Sequence, residues 1–408
     1  MLDYPRLNNL VSCTLFMGSE NPTLVDLFAG CGGLGLGFHQ AGFETILANE
    51  LHTDPAETYI QNLLEGNPER MLVGNISQVL TNRVLRELKS KYGEITCVAG
   101  GPPCQGFSMA GAGNADDPRN KLYREYLRVI RELLPQTIVF ENVPGFATRY
   151  GIGLQKHLHK TLNSLGYSLS MGVIRAMDYG VPQLRRRFIC IGVKKSILNN
   201  QKVILPPPTW TLEEIKSKLT CKKVLDDLDV YIKRGGYGTG ENIGPEKYLK
   251  PARSEFQKSM RKISGTTVKG MTWNTLIPRH TKNVQLRMKM YQKGVTRNEL
   301  INTELATKKH SQRVLSAGET PKITVVSLPD DYIHYNKKLP RTLSVRECAR
   351  LQTFPDHFRF YGKRTTGGLR RRTDVPQYTQ VGNAIPPRLA KSIALHLLKY
   401  LPINDDCR

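Results

Sequence analysis

Short apolar runs alternate with helical patterns through the first two hundred residues, and that alternation restricts the fold more than any other feature of the chain. Candidate strands lie at 23–28, 44–49, 71–73, 95–99, 137–141, 167–176 and 187–193. The clearest helical stretch between them is 120–134. There Leu122, Tyr126, Val129, Ile130, Leu133 and Leu134 recur at helical spacing until Pro135 stops the pattern. Strand, crossover helix, strand is the mark of an α/β domain built on a parallel sheet.

The first strand runs directly into Ala29-Gly30-Cys31-Gly32-Gly33-Leu34-Gly35, in which Gly30, Gly32 and Gly35 satisfy GxGxxG. Glu50 follows twenty residues after Gly30, at the end of the next strand. Glycine at a strand-to-helix turn lets the backbone touch a ligand, and a carboxylate at this distance suits ribose hydroxyls. Taken alone, the motif fits a dinucleotide or any other adenosine-containing cofactor. A second glycine run, 235–240, follows no apolar strand and reads as a plain loop.

Charge separates the first hundred residues from the rest of the chain. The 408 residues suit two or three domains at roughly 100–200 residues each. The formal charge is +24, yet residues 1–100 carry a net −5, whereas 101–200, 201–300 and 301–408 carry +8, +11 and +10. A uniformly basic surface predicts no such step. The pattern points to an anionic partner held by the later part, and it disfavours an enzyme for neutral small molecules. There is no apolar run of ~18 residues to span a membrane, and no basic patch leading into an apolar signal core. The eight cysteines are scattered, with no CxxC pair and no histidine at metal spacing. We therefore expect no metal site and a reducing compartment.

Organisation changes near Lys194. Pro206-Pro207-Pro208 reads as a stiff connector, and basic side chains outnumber acidic ones about two to one through 201–345 with weak periodicity. Regular patterning resumes near Leu343, and 388–400 is an amphipathic helix that could return to the first domain. The expected division is 1–193, an irregular second domain at 194–342, and a returning segment at 343–408.

The fourth candidate strand opens into Gly100-Gly101-Pro102-Pro103-Cys104-Gln105-Gly106, where a cysteine is presented on a loop rather than buried. The next strand ends in Glu141-Asn142-Val143, and a later one is preceded by Gln183-Leu184-Arg185-Arg186-Arg187. Carboxyl ends of strands in an open parallel sheet face the ligand crevice, so a thiol, a carboxyl and guanidiniums would converge there. At this point the chain resembles the DNA (cytosine-5)-methyltransferases of prokaryotic modification type. Asp26 to Gly33 resembles their cofactor loop, Pro102-Pro103-Cys104-Gln105 the nucleophile loop, Glu141-Asn142-Val143 the cytosine-binding motif, and Gln183, Arg185 and Arg187 the QxRxR. Arg346 to Pro355 resembles a later helix, and Gly382-Asn383-Ala384-Ile385-Pro386-Pro387 the last motif. All six stand in family order between residues 24 and 387.

The resemblance implies a Rossmann-like S-adenosylmethionine-dependent methyltransferase sheet with a smaller, irregular target-recognition domain. It implies Cys104, Glu141, Arg185 and Arg187 as catalytic residues. Phe28, Gly30, Gly32, Gly33, Glu50, Asn75, Leu122 and Asn383 would line the S-adenosylmethionine pocket. The implied substrate is a cytosine flipped out of double-stranded DNA, attacked by Cys104 at carbon 6 and methylated at carbon 5. The setting it implies is the prokaryotic cytoplasm, as a monomer, with a cognate restriction endonuclease acting on the same site. Two positions depart from the family pattern: Asn75 stands where Asp is common, and Leu51 where an aromatic residue often follows Glu50. Arg279, His280, Lys282, Arg287, Lys289, Lys293 and Arg297 are candidates for DNA contact, as is a basic stretch at 362–377 containing Arg370-Arg371-Arg372. Three rivals share parts of this pattern. A nicotinamide or flavin oxidoreductase leaves Cys104, Glu141 and the basic charge unexplained. A transfer-RNA cytosine methyltransferase needs little recognition domain, and a silent DNA-binding module needs no Cys104.

Overall fold

The computed structural model describes residues 21–103, 122–148, 152–228, 246–262, 270–278, 280–307, 313–325, 332–365 and 373–402. The chain divides into two compact units. One comprises Met1–Arg175, Arg186–Pro208 and Pro387–Arg408, and the other Ala176–Arg185 and Thr209–Pro386.

The first unit holds a seven-stranded sheet. Its strands are β1 (Thr23–Leu27), β2 (Glu44–Glu50), β3 (Met71–Val73), β4 (Cys97–Gly100), β5 (Thr137–Asn142), β6 (Tyr167–Arg175) and β7 (Arg186–Lys194), in the order β3-β2-β1-β4-β5-β7-β6. Strands β1 and β5 are buried along their whole length, as expected where helices cover both faces. The wholly parallel sheet expected from the alternation needs one correction. Strand β7 runs antiparallel to both β5 and β6. The β6–β7 connection, 176–185, contains no crossover helix, so the chain re-enters the sheet in the opposite direction.

Helices α1 (Gly33–His39), α2 (Thr53–Leu63), α3 (Ile76–Val79), α4 (Asn82–Tyr92), α5 (Leu122–Leu133) and α6 (Ile152–Ser164) follow the strands in turn. The apolar stripe of α5 buries Tyr126, Val129, Ile130 and Leu133 against Val98, Ile138 and Phe140. The Tyr126 and Phe140 rings meet edge-on at 5.3 Å. Within the same unit, α13 (Pro387–Leu398) lies so close to α1 that a Cβ on Gly37 would stand 2.4 Å from the Ala390 Cβ. The helix expected at 388–400 thus packs back on the first glycine-loop helix.

The second unit has no large sheet among its described residues. It is built from α7 (Leu212–Lys218), α8 (Cys221–Leu225), α9 (Glu255–Arg261), α10 (Lys282–Gln292), α11 (Val345–Leu351) and α12 (Gln377–Asn383). Two-residue ladders pair β8 (Glu246–Lys247) with β9 (Met271–Thr272), and β10 (Arg313–Val314) with β11 (Tyr332–Ile333). With few ladders to satisfy its backbone, it uses buried arginines. Arg346 donates to the carbonyls of Trp273 at 2.9 Å and Pro355 at 3.0 Å, and also to that of Phe358. Arg350 bridges Asp227 and Asp356, and Arg341 forks onto both oxygens of Glu347 at 2.7 Å. These ties explain why the units do not coincide with the expected division at 193 and 343. The segment from Leu343 to Pro386 is fastened inside the second unit by Arg346 and Arg350, and the chain rejoins the first unit only at Pro387.

Candidate active site

The glycines of the first loop do different things. Gly30 has φ +55°, and a Cβ there would meet nothing within 4 Å, so its outer side is open. Gly32, at φ +93°, caps α1, and a Cβ there would come within 2.7 Å of Leu63. Gly33 begins α1 and is buried. At Gly35 a Cβ would strike the Tyr59 hydroxyl at 2.4 Å and the Asp26 carboxylate at 2.8 Å. The open glycine is the one a ligand can approach, while Gly32 and Gly35 close the loop onto the sheet.

Glu50 ends β2 beside that opening. Its carboxylate accepts the Gly30 N–H at 2.9 Å and the His52 N–H at 3.0 Å, and burial raises its pKa above the ordinary carboxylate value. The neighbouring Leu51 is 57% exposed, an apolar surface at the strand's end. Phe28 adopts φ 56°, an uncommon conformation for an aromatic residue, and is half-buried. Asn75 is exposed and caps α3, its carboxamide oxygen accepting from the backbone N–H and hydroxyl of Ser77. Leu122 opens α5 and packs at the core's edge.

At the carboxyl end of β5, the antiparallel register sets Asn142 opposite Phe188, so Arg187 stands beside Glu141. Its Nε lies 2.6 Å from the Glu141 carboxylate, with both side chains only 12–13% exposed. Asn142 donates from its side-chain amide to the Pro102 carbonyl at 3.0 Å, tying β5 to the loop that leads to Cys104. A Cβ on Gly101 would come within 2.6 Å of the Glu141 carboxylate, so only glycine lets that loop run so close. Cys104 itself, with Arg279, the 235–240 run and Arg370-Arg371-Arg372, lies outside the described residues. Among the described cysteines, Cys31, Cys97, Cys190, Cys221 and Cys348 are all buried, and burial pushes Cys97, Cys190 and Cys221 up to about 12. None of these five is a nucleophile at neutral pH.

The second unit holds the remaining expected residues. Arg185 is fully buried and donates to the Val325 carbonyl at 2.9 Å and the Gly382 carbonyl at 2.5 Å. Gln183 is equally buried, bonded to the Leu351 carbonyl and the Gln352 side chain, both at 2.8 Å. Asn383 is exposed at the end of α12. Of the basic candidates, Arg287 and Arg297 donate to loop carbonyls and His280 bonds Thr342, whereas Lys282, Lys289 and Lys293 are exposed.

Three participants were not singled out from the sequence as site residues. Asn142 and Gly101 were visible only as parts of motifs, with no sign of what each would touch. Asp26 lies under the glycine loop, bonded by the Tyr59 hydroxyl at 3.1 Å and pushed up to about 7 by burial. An aspartate inside a strand among apolar residues was the available signal.

Comparison with known proteins gives the family. The family model "C-5 cytosine-specific DNA methylase" matches residues 23–399. The chain is 32% identical to the type II methyltransferase M.DdeI of Desulfomicrobium norvegicum, over 94% of this chain and 91% of that one. It is 30% identical to M.MthTI of Methanothermobacter thermautotrophicus, over 93% and 98%. A solved structure assigned as a DNA modification methyltransferase of an Escherichia coli prophage superposes with a TM-score of 0.69 at 26% identity, covering 93% of this chain and 99% of that one. The Entamoeba histolytica methyltransferase EhMeth, at 15% identity and a TM-score of 0.57, shares the fold. With a Rossmann-like methyltransferase sheet, an open glycine loop beside Glu50, a Glu141–Arg187 pair and a family match spanning nearly its whole length, the chain belongs to the C-5 cytosine-specific DNA methylases and is a DNA cytosine-5 methyltransferase.

Proposed function

We propose that this enzyme methylates carbon 5 of a flipped-out cytosine within a specific double-stranded DNA sequence, through a covalent adduct with Cys104. The observation that carries this reading is the Arg187–Glu141 pair, which stands beside the loop leading to Cys104. Carbon 5 of cytosine is a poor nucleophile. Addition of the Cys104 thiolate to carbon 6 forms an Sγ–C6 bond and makes carbon 5 enamine-like. Glu141 holds ring nitrogen 3 and the exocyclic amine, neutralising charge as sulfur adds, while Arg187 fixes the carboxyl. S-adenosylmethionine, when bound, supplies the methyl group that carbon 5 takes. Loss of the carbon 5 proton to a base and departure of Cys104 as thiolate restore the ring. Arg185 acts differently from Arg187: buried on two carbonyls, it positions the chain two residues before the pair.

The residues present fit the cofactor. Glu50 offers acceptor positions for ribose hydroxyls, and Gly30 leaves room for close approach. Leu51 presents apolar surface to the adenine, and Phe28, Gly32, Gly33, Asn75 and Leu122 complete the lining expected from the first unit. The Asn75 oxygen already accepts twice from Ser77, so it meets the adenine amine once the Ser77 hydroxyl turns away. The basic charge beyond residue 100 serves DNA. As a monomeric modification enzyme of the prokaryotic cytoplasm, it would protect the site of a cognate restriction endonuclease without a stable complex. No helix among the described residues is long and apolar enough to cross a membrane.

Duplex DNA carrying 5-fluorocytosine tests the adduct, because fluorine at carbon 5 cannot leave as a proton. The expected result is a denaturant-stable protein–DNA complex with the native enzyme and none with Cys104→Ser. Methyl transfer by Cys104→Ser at the native rate would end the mechanism. Label from methyl-labelled S-adenosylmethionine should enter duplex DNA in preference to transfer RNA. DNA affinity should fall steeply with salt while cofactor affinity does not.

A further inference from the structure

Two short segments of the second unit, 271–275 and 358–361, are locked side by side. Asn274, at φ 61°, donates to the Phe360 carbonyl at 3.0 Å and to the Gln377 side chain at 3.1 Å, and its oxygen accepts the Phe360 N–H at 3.0 Å. Beneath them the buried Arg346 guanidinium holds the Trp273 and Phe358 carbonyls together, over a cluster of Phe354, Phe358 and Phe360 rings 4.8–5.2 Å apart. This rigid mount carries an unusual half-buried group. The Arg359 guanidinium carbon lies 4.3 Å from the Trp273 ring centroid and 4.5 Å from that of Tyr361.

A guanidinium held by two aromatic rings has lost most of the rotamer freedom that an arginine otherwise gives up on binding, and its N–H groups lie in one fixed plane. That is a device for meeting paired acceptor atoms, not for diffuse attraction of a polyanion. In sequence Arg359 is followed by the buried Arg364 and by three further arginines at 370–372. Arg359 also lies outside the 194–342 segment in which recognition was expected.

From this we infer that Arg359, held by Trp273 and Tyr361, contacts paired acceptors on the DNA substrate, either the O6 and N7 atoms of a guanine in the target sequence or two oxygens of one phosphate. The inference rests on the reading that the substrate is duplex DNA. A guanidinium satisfies either pair with two parallel, coplanar hydrogen bonds, a geometry that the rings fix here and that an ammonium on a free stem does not hold.

The test uses the full chain with Arg359→Lys, Arg359→Gln and Tyr361→Leu, each checked for a native melting temperature. Each protein methylates a pool of random-sequence duplexes, the modified cytosines are read with their flanks by bisulfite sequencing, and DNA binding is measured over a range of salt. If the acceptor is guanine, Arg359→Lys loses preference at one base position by on the order of 10- to 100-fold and keeps the rest of the motif. If it is phosphate, the motif survives, Arg359→Gln binds every sequence more weakly, and the slope of log affinity against log salt falls by about 1. Tyr361→Leu should give a smaller effect of the same kind. Folded Arg359→Lys and Arg359→Gln proteins with native motif, affinity and salt slope would overturn the inference. A native enzyme that puts no methyl groups into duplex DNA would instead overturn the reading beneath it.

Discussion

The two units bury charge in opposite ways. In the first, Asp26 and Glu50 are buried with N–H and O–H donors but without a cation, and burial raises both pKa values. In the second, Asp227, Glu347 and Asp356 are buried against arginines, and Glu347 is held down at about 2 by Arg341 and His334 although burial pulls it upward. The difference follows from backbone satisfaction. A seven-stranded sheet pairs its own amides and carbonyls, so the carboxylates under the glycine loop, Asp26 and Glu50, are held by donors alone, and the ion pair this unit buries, Glu141 with Arg187, lies at the carboxyl end of β5. The second unit leaves carbonyls at 273, 355 and 358 for an arginine, and each buried arginine then needs carboxylates or carbonyls around it.

The largest test of this contrast removes a cation. Arg350→Leu removes the cation that Asp227 and Asp356, 1–2% exposed, share, leaving Asp227 to Arg261 and Asp356 to the Tyr248 hydroxyl. The second unit should lose about 3–5 kcal/mol, seen as an early transition in urea. Hydrogen exchange should quicken around α8 and α11, while the sheet amides of the first unit keep their protection. Equal loosening of both would break the distinction.

Titration gives the second test, because the signs differ. Asp26 has a folded value of about 7 against 3.8 unfolded, so its contribution is fully present below 3.8 and is lost as pH rises toward 7. The shift corresponds to a few kcal/mol, on the order of 1.4 per unit. In the second unit His334 is pushed down to about 3 by burial, so stability is lost as pH falls from 6.5 toward 3. Glu347 adds to that loss between about 4.5 and 2. Lowering the pH from 7 to 4 should therefore strengthen exchange protection in the first unit and weaken it in the second, after correction for intrinsic exchange. Asp26→Asn should flatten the first response only.

The same contrast explains what was legible from the sequence. All seven expected strand segments are strands, with ends within two residues, because a strand buried on both faces is an unbroken apolar run between turn signals. The glycine loop and Glu50 were legible because backbone approach and hydroxyl binding each demand a particular residue type at a particular spacing. The direction of β7 was not, since apolar runs carry no sign. Nor was the point of return at Pro387. Arg350 is visible in sequence only as part of the later-helix motif, with no sign of its partner Asp227, which lies 123 positions away. The division between Arg185 and Arg187 was likewise hidden. Both are arginines two residues apart, and only the β5–β7 register shows that Arg187 meets Glu141 while Arg185 is spent on carbonyls.

Two glycine substitutions separate packing from chemistry within the first unit. At Gly37 an added Cβ would press on the Ala390 Cβ at 2.4 Å and the Lys391 N and Pro387 O at 2.6 Å. Backbone cannot yield as a side-chain tip can, so Gly37→Ala should push α13 off α1 and cost about 1–3 kcal/mol by urea unfolding. At Gly101 the obstacle is the far end of a side chain, the Glu141 carboxylate at 2.6 Å. Gly101→Ala should therefore leave the backbone in place and act through the buried Glu141–Arg187 pair, costing about 1 kcal/mol. The Glu141 carboxylate would shift instead, away from Arg187 and from any base it holds. A displacement of this kind costs on the order of 100-fold in rate, expected in kcat with cofactor affinity unchanged. A Gly101→Ala enzyme that loses as much stability as Gly37→Ala while keeping native kcat would show that the close approach of this loop to Glu141 serves packing alone, and that the first unit uses both glycines in the same way.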